Sequence, residues 1–299
     1  MRIFVTGASG YIGTAVSHEL IEGGHQVLGL ARSDESAEKM EAAGVEPLRG
    51  SLSDLDSLAA GARDADGVIH LAFQNISPTT DFVAAGITDL EAIQTMGSVL
   101  EGTGKPLVIT SGTLVFSSEG RLALETDVLD IDFPRVNSEN ATVAMAERGI
   151  RSAVIRLAPS VHGVTDMHGF IPRLIEFARA NGVSPYVGSG DNRWPGIHVL
   201  DAARLYRLAV ESAPAGSRFH GVGEVGVPFR EIAASIGRHL GVPVESLSEA
   251  DAAGHFTFLT WFVGLDNPTS NEWTSKTLGW RPVGPSLLED IDAGFYFSR

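Results

Sequence analysis

The chain has 299 residues, no cysteine, 43% hydrophobic residues and a formal charge of −15. That length supports one large core or two domains. The missing cysteine excludes disulfides, thiolate catalysis and zinc–sulfur sites. The acidic balance argues against a nucleic-acid partner, which needs a basic face. No apolar run reaches the ~20 residues that cross a bilayer. Arg2 leads straight into a short strand and not into the apolar core of a signal peptide. The expectation is a cytoplasmic monomer or homodimer acting on a small-molecule substrate, with no nucleic-acid, membrane or metal partner.

In chain order, residues 3–5 form a short, β-prone apolar run that predicts a buried strand. Gly7, Gly10 and Gly13 follow at once. Val16, Leu20 and Ile21 are then spaced for a helix over 14–22, which Gly23 and Gly24 stop. A second apolar run over 25–30 ends beside Arg32. Strand, glycine turn, helix and strand make the unit that binds a dinucleotide. Gly7 permits the tight turn, Gly10 lets the backbone approach a pyrophosphate, and Gly13 lets helix and strand pack closely. The helix N-terminus attracts the phosphates. Ser9, Tyr11 and Ile12 share this turn and join the three glycines as cofactor-binding candidates. At 32–33, where NAD enzymes place an acidic residue, stand Arg32 and Ser33. A guanidinium suits a 2′-phosphate, so the expected cofactor is NADP(H).

The Gly-x-x-Gly-x-x-Gly spacing resembles the extended and atypical short-chain dehydrogenase/reductase superfamily, which includes the NAD-dependent epimerase/dehydratase-like enzymes. The resemblance implies a doubly wound parallel-sheet Rossmann fold, with residues 1–163 and 196–223 binding NADP(H). A smaller substrate-binding domain, from 164–195 and 224–299, would close over the strand ends. The remaining segments agree in turn. A helix is expected over 35–43, a strand over 45–48 and a helix after Asp54. At 50–54 only Leu52 matches the superfamily's adenine-flanking Gly-Asp-Leu. The run 66–73 resembles its Val-Ile-His-Leu-Ala strand, which implies that Leu71, Ala72 and Phe73 lie along the cofactor. His70, inside that strand, reads as a packed core histidine. In the helix over 81–100, Asp89 stands near the register of the superfamily's active-site asparagine.

Residues 105–116 resemble the strand that delivers the catalytic serine. Thr110, Ser111 and Thr113 are candidates there, Thr110 toward the cofactor and Ser111 and Thr113 toward catalysis. The departure comes next. No tyrosine lies between 117 and 160. In the helix over 134–149, Arg135 takes the tyrosine register and Glu139 the lysine register of the usual Tyr-x-x-x-Lys pair. Arg135 becomes a catalytic candidate. Glu139 becomes a candidate for the nicotinamide ribose, or points away from it. The strand and loop over 153–163 imply Pro159 and Ser160 at the nicotinamide carboxamide and offer His162 as a proton donor. Arg193 and Trp194 lie in the segment that covers substrate in extended members. Asp201 reads as a helix cap, and Tyr186 as the one tyrosine able to replace the missing one. Residues 255–262 read as a pocket lining or a subunit contact. Three functions fit: an NADP(H)-dependent reductase or dehydrogenase of a small carbonyl or hydroxyl compound, a sugar-nucleotide epimerase or dehydratase, or a non-catalytic NADP-sensing protein.

Overall fold

The computed structural model describes residues 1–74, 81–117 and 120–298. The first half alternates strand and helix: β1 (Arg2–Thr6), α1 (Tyr11–Glu22), β2 (Gln26–Ala31), α2 (Asp34–Ala42), β3 (Glu46–Arg49), α3 (Leu55–Asp64), β4 (Gly67–His70), α4 (Phe82–Leu100) and β5 (Pro106–Gly112). Then follow α5 (Pro134–Ala144), β6 (Arg151–Leu157), β7 (Ser160–His162), α6 (Phe170–Asn181), β8 (Ser184–Val187), β9 (Arg193–His198), α7 (Val199–Ser212) and β10 (Ser217–Gly221). The last part holds β11 (Glu224–Pro228), α8 (Phe229–Leu240), β12 (Val244–Leu247), α9 (Glu249–Phe256), α10 (Thr260–Val263), α11 (Glu272–Leu278) and α12 (Leu287–Asp292).

Seven strands form one sheet in the order β10-β6-β5-β4-β1-β2-β3, and every pairing in it is parallel. A parallel sheet is apolar on both faces because helices cover both. The strands obey this: Ile3, Phe4 and Val5 are all fully buried, as are Leu107 and Ile109. Val16 and Leu20 of α1 pack on one face with Leu205, Tyr206 and Ala209 of α7. Leu58 and Ala62 of α3 and Ala92, Ile93 and Met96 of α4 pack on the other. The strand order reverses between β1 and β4, and that switch point opens the crevice where such sheets take a ligand.

A separate apolar core gathers Ile171, Leu174 and Ile175 of α6, Trp194, Phe229, Ile232, Phe256, Leu259 and Ile291. The segment 255–262 belongs to it: Phe256 and Leu259 are buried, while Trp261 is 61% exposed. Trp194 packs edge-on against Phe229, and Arg193 pairs with Asp266. A three-stranded sheet, β11-β9-β7, joins the two halves of the molecule.

Several helix starts follow local rules. Asp54 and Asp81 cap α3 and α4 with their carboxylates, accepting from Ser57 N and Ala84 N. Asp201 does not cap α7. His198 does, accepting from Leu200 N. Asp201 lies in the first turn, where its carboxylate accepts from the backbone N–H groups of Val283 and Gly284. The helix begins three residues earlier than the acidic residue suggests, because a histidine at the strand end fills the cap.

Candidate cofactor and substrate site

The glycine turn is built as the dinucleotide reading requires. Gly7 has φ +76°, and a β-carbon there would lie 2.9 Å from the backbone nitrogen of Ala72. At Gly13 it would lie 1.9 Å from the Gly7 carbonyl oxygen. At Gly10 it would meet only the Gly7 oxygen, at 3.2 Å, and otherwise enter open space. Gly10 is exposed and caps α1 without a side chain. The first-turn N–H groups of the helix are therefore left for an anion. Lys39 reaches back to the Ser9 carbonyl at 3.0 Å and adds positive charge beside the turn. Ile12 is half-buried against the core. Tyr11 directs its hydroxyl inward, to the space beside Gly163. These residues fit a pyrophosphate.

On the β2 side of the switch point, Arg32 is exposed and Ser33 caps α2, its hydroxyl accepting from Ser36 N in a reciprocal capping box. Arg49 pairs with Asp34, and Leu52 packs half-buried against the adjoining core. On the β4 side, Thr6, His70, Asp89 and Ser138 form a buried polar chain. His70 Nδ1 lies 2.7 Å from Thr6 Oγ1, and His70 Nε2 lies 3.1 Å from Asp89 Oδ1. Ser138 donates to Asp89 Oδ2 at 2.7 Å. His70 is thus a satisfied core histidine. Burial opposes charge on Asp89, yet the bonds from His70 and Ser138 and the charge of Arg135 hold its carboxyl below the usual range.

Arg135, in the tyrosine register, reaches the carboxyl ends of β4 and β5. Its guanidinium lies 3.6 Å above the Phe73 ring and donates to the Thr110 carbonyl at 3.0 Å. Leu71 packs against the core, and Ala72 N donates to Thr6 Oγ1 at 3.2 Å. The Thr110 hydroxyl turns away, to the His70 carbonyl and to the hydroxyl of Tyr206, a fully buried tyrosine on α7 whose pKa burial raises. Tyr206 was invisible to motif reasoning because its partner is 96 residues distant in sequence.

The hydroxyl candidates separate. Thr113 is fully buried and committed: it donates to Asn267 Oδ1 at 2.7 Å, and Asn267 Nδ2 donates to its carbonyl at 3.0 Å. The catalytic reading of Thr113 is corrected to a clamp. Ser111 Oγ and Ser160 Oγ are buried with no hydrogen-bond partner among the described residues. They stand at the carboxyl end of β5 and at the start of β7, beside half-buried Pro159. A buried hydroxyl without a partner costs about 1–3 kcal/mol, which a ligand's polar groups would recover. His162 is also buried, its Nδ1 2.6 Å from Asp290 Oδ2 and its Nε2 without a hydrogen-bond partner among the described residues. It ties β7 to α12. Glu139, in the lysine register, does not reach toward a ribose. Its carboxylate is enclosed by Arg156, at 3.0 Å from Nε, and by Arg218, at 2.8 Å. The buried Arg156 and the half-buried Arg218 claim it first. Tyr186 stacks beside Gly190 and Arg230 at the edge of the second core.

A parallel sheet with a glycine turn at its switch point defines a Rossmann fold. The NAD dependent epimerase/dehydratase family model matches residues 3–103. An uncharacterised protein of Schizosaccharomyces pombe is 46% identical over 99% of this chain and 100% of its own. The 2-alkyl-3-oxoalkanoate reductase of Stenotrophomonas maltophilia is 28% identical, over 81% of this chain and 77% of its own. The dTDP-glucose 4,6-dehydratase DesIV of Streptomyces venezuelae, solved with NAD bound, shares the fold. Its TM-score is 0.78 at 20% identity, covering 100% of this chain and 97% of that one. The chain belongs to the NAD-dependent epimerase/dehydratase family of extended short-chain dehydrogenases/reductases.

Proposed function

We propose that this protein is an NADP(H)-dependent oxidoreductase that reduces a small carbonyl compound or oxidises the matching alcohol. The observation that carries the cofactor choice is Arg32, an exposed guanidinium just past β2 where an NAD site would hold a carboxylate. The reductase among the relatives supports the reaction class. When bound, the nicotinamide supplies or accepts the hydride. The protein then has to orient the carbonyl and polarise its oxygen. We assign the polarising hydrogen bond to Ser111 Oγ, the partnerless buried hydroxyl at the end of β5. Ser160 Oγ and Pro159 hold the carboxamide. The hydroxyl oxygen takes its final proton from water, since no tyrosine stands in the usual register.

Calorimetry tests the cofactor. NADP(H) binds at least tenfold more tightly than NAD(H), about 1.4 kcal/mol, and Arg32→Ala removes most of that gap. Equal affinities sink the NADP reading. NADPH consumption over a carbonyl panel tests the reaction. Tight NADP binding with no turnover of any compound favours the sensing role instead.

A further inference from the structure

The geometry points to Arg135 as an anchor for a carboxylate carried by the substrate. This inference rests on the oxidoreductase reading and names its substrate class: short oxo acids or the corresponding hydroxy acids.

The argument begins with what a guanidinium cannot do. Arginine stays protonated, so Arg135 cannot donate a proton as the usual tyrosine does. What it offers is a fixed charge and a planar fork of five N–H donors. The structure holds that fork rigidly. Phe73 lies under one face at 3.6 Å, and the Thr110 carbonyl accepts one N–H at 3.0 Å. Asp89 balances the charge without using the donors. Its nearer oxygen is 3.8 Å away, and its two oxygens are engaged by His70 and Ser138. Among the described residues, Thr110 O is the one acceptor that Arg135 reaches within hydrogen-bond distance.

Burial pulls the Arg135 pKa down, with Asp89 opposing it, so the charge is held in a poorly solvated place. Its side chain is 19% exposed, at the carboxyl ends of β4 and β5 where the crevice opens. A half-buried cation with unused donors is under-satisfied until an acceptor arrives. A ketone oxygen offers a single acceptor atom. A carboxylate offers two coplanar oxygens that match the fork and bear the opposite charge. Because the charge is permanent, it favours a group that is anionic before the reaction as well as after it.

The test uses the full chain saturated with NADP⁺ and a panel of 2-oxo and 3-oxo acids from four to ten carbons, each beside its methyl ester. Binding is read by calorimetry on that NADP⁺ complex, and turnover is read separately, with NADPH in place of NADP⁺, by its consumption. The expected result is at least one acid bound tenfold or more above its ester. Arg135→Gln abolishes that preference, lowering the acid's affinity toward its ester's; Arg135→Lys keeps part of it. Equal binding of every acid and ester overturns the proposal. So does an Arg135→Gln variant, folded by circular dichroism, that loses acid and ester alike, or one that keeps the acid preference. Dihydroxyacetone phosphate displacing the acids at lower concentration would make the anchor a phosphate site and also overturn it. The two readings fail separately. An acid preference in binding without NADPH consumption leaves the anchor standing and removes the reductase. Turnover with no acid preference does the reverse.

Discussion

Gly10 and Gly13 separate two things that one turn does. A β-carbon at Gly13 would lie 1.9 Å from the Gly7 carbonyl oxygen, so Gly13→Ala forces the turn apart and lowers the thermal midpoint sharply. At Gly10 the same atom points into the crevice. Gly10→Val therefore folds, with a midpoint within a few degrees of the parent, and loses NADPH binding by fluorescence titration. Undiminished binding by the folded Gly10→Val chain would make the turn purely structural. These glycines were legible in the sequence because all their partners lie within a few residues. Thr113 was not: in the sequence it is one of three candidate catalytic hydroxyls at the end of a strand, and Asn267, 154 residues away, holds it. Ser111 and Thr113 look alike in the sequence, and a distant side chain decides which of them is free.

At the scale of elements, helix α5 shows how register and role part company. The sequence suggests Arg135 and Glu139 for the tyrosine and lysine registers, and both lie on α5. Their roles depend on neighbouring strands. β6 brings the fully buried Arg156 and β10 brings Arg218 against Glu139, which consumes the carboxylate. Removing one partner of a buried ion pair costs about 3–5 kcal/mol. Glu139→Gln is expected to lose stability of that order in urea unfolding, and a loss below 1 kcal/mol would mean the pair is well solvated.

The same cluster sets a pH response. His220 Nδ1 lies 2.8 Å from the Ser270 carbonyl, and Nε2 lies 3.2 Å from Arg156 NH1. A carbonyl only accepts and a guanidinium only donates, so the ring is neutral with its proton on Nδ1. Burial, then the Arg156 charge, depresses the His220 pKa to about 4. Its contribution to stability is whole above the ordinary histidine value near 6.5. It is lost as pH falls from there toward 4, because only the unfolded chain takes up the proton in that window. Unfolding midpoints measured between pH 7 and 4 should fall more steeply for the parent than for His220→Gln. Parallel curves would show that His220 does not contribute.

Across the whole molecule, the alternation of strand and helix made the doubly wound sheet legible, since a parallel strand needs a crossover helix and crossovers have one hand. The second core was less so. Its members come from stretches as far apart as Ile171 and Ile291, and their aromatic run carries no period. Beside the three-stranded sheet, the segment 266–274 also joins the cores. Asp266 binds Arg193, Asn267 binds Thr113, Ala123 N donates to the Pro268 carbonyl, and Glu125 accepts from Thr274. Asn267→Ala strips the buried Thr113 hydroxyl of its partner, while the Thr113 carbonyl keeps the N–H of Phe116. A buried unsatisfied hydroxyl costs about 1–3 kcal/mol, so the variant should lose stability of that order in urea unfolding. A neutral outcome would mean that water replaces the amide.

That segment also imposes an order in time. A ribosome adding 5–20 residues per second makes Thr113 roughly 8–30 s before Asn267. The glycine turn, Arg32 and the first five strands of the sheet are all made before that interval begins. The nucleotide half of the crevice is thus spelled out before the inner end of β5 receives its fastening. A growing chain that captures its cofactor early would stabilise the young sheet by mass action, while the substrate half waits for the strap to arrive.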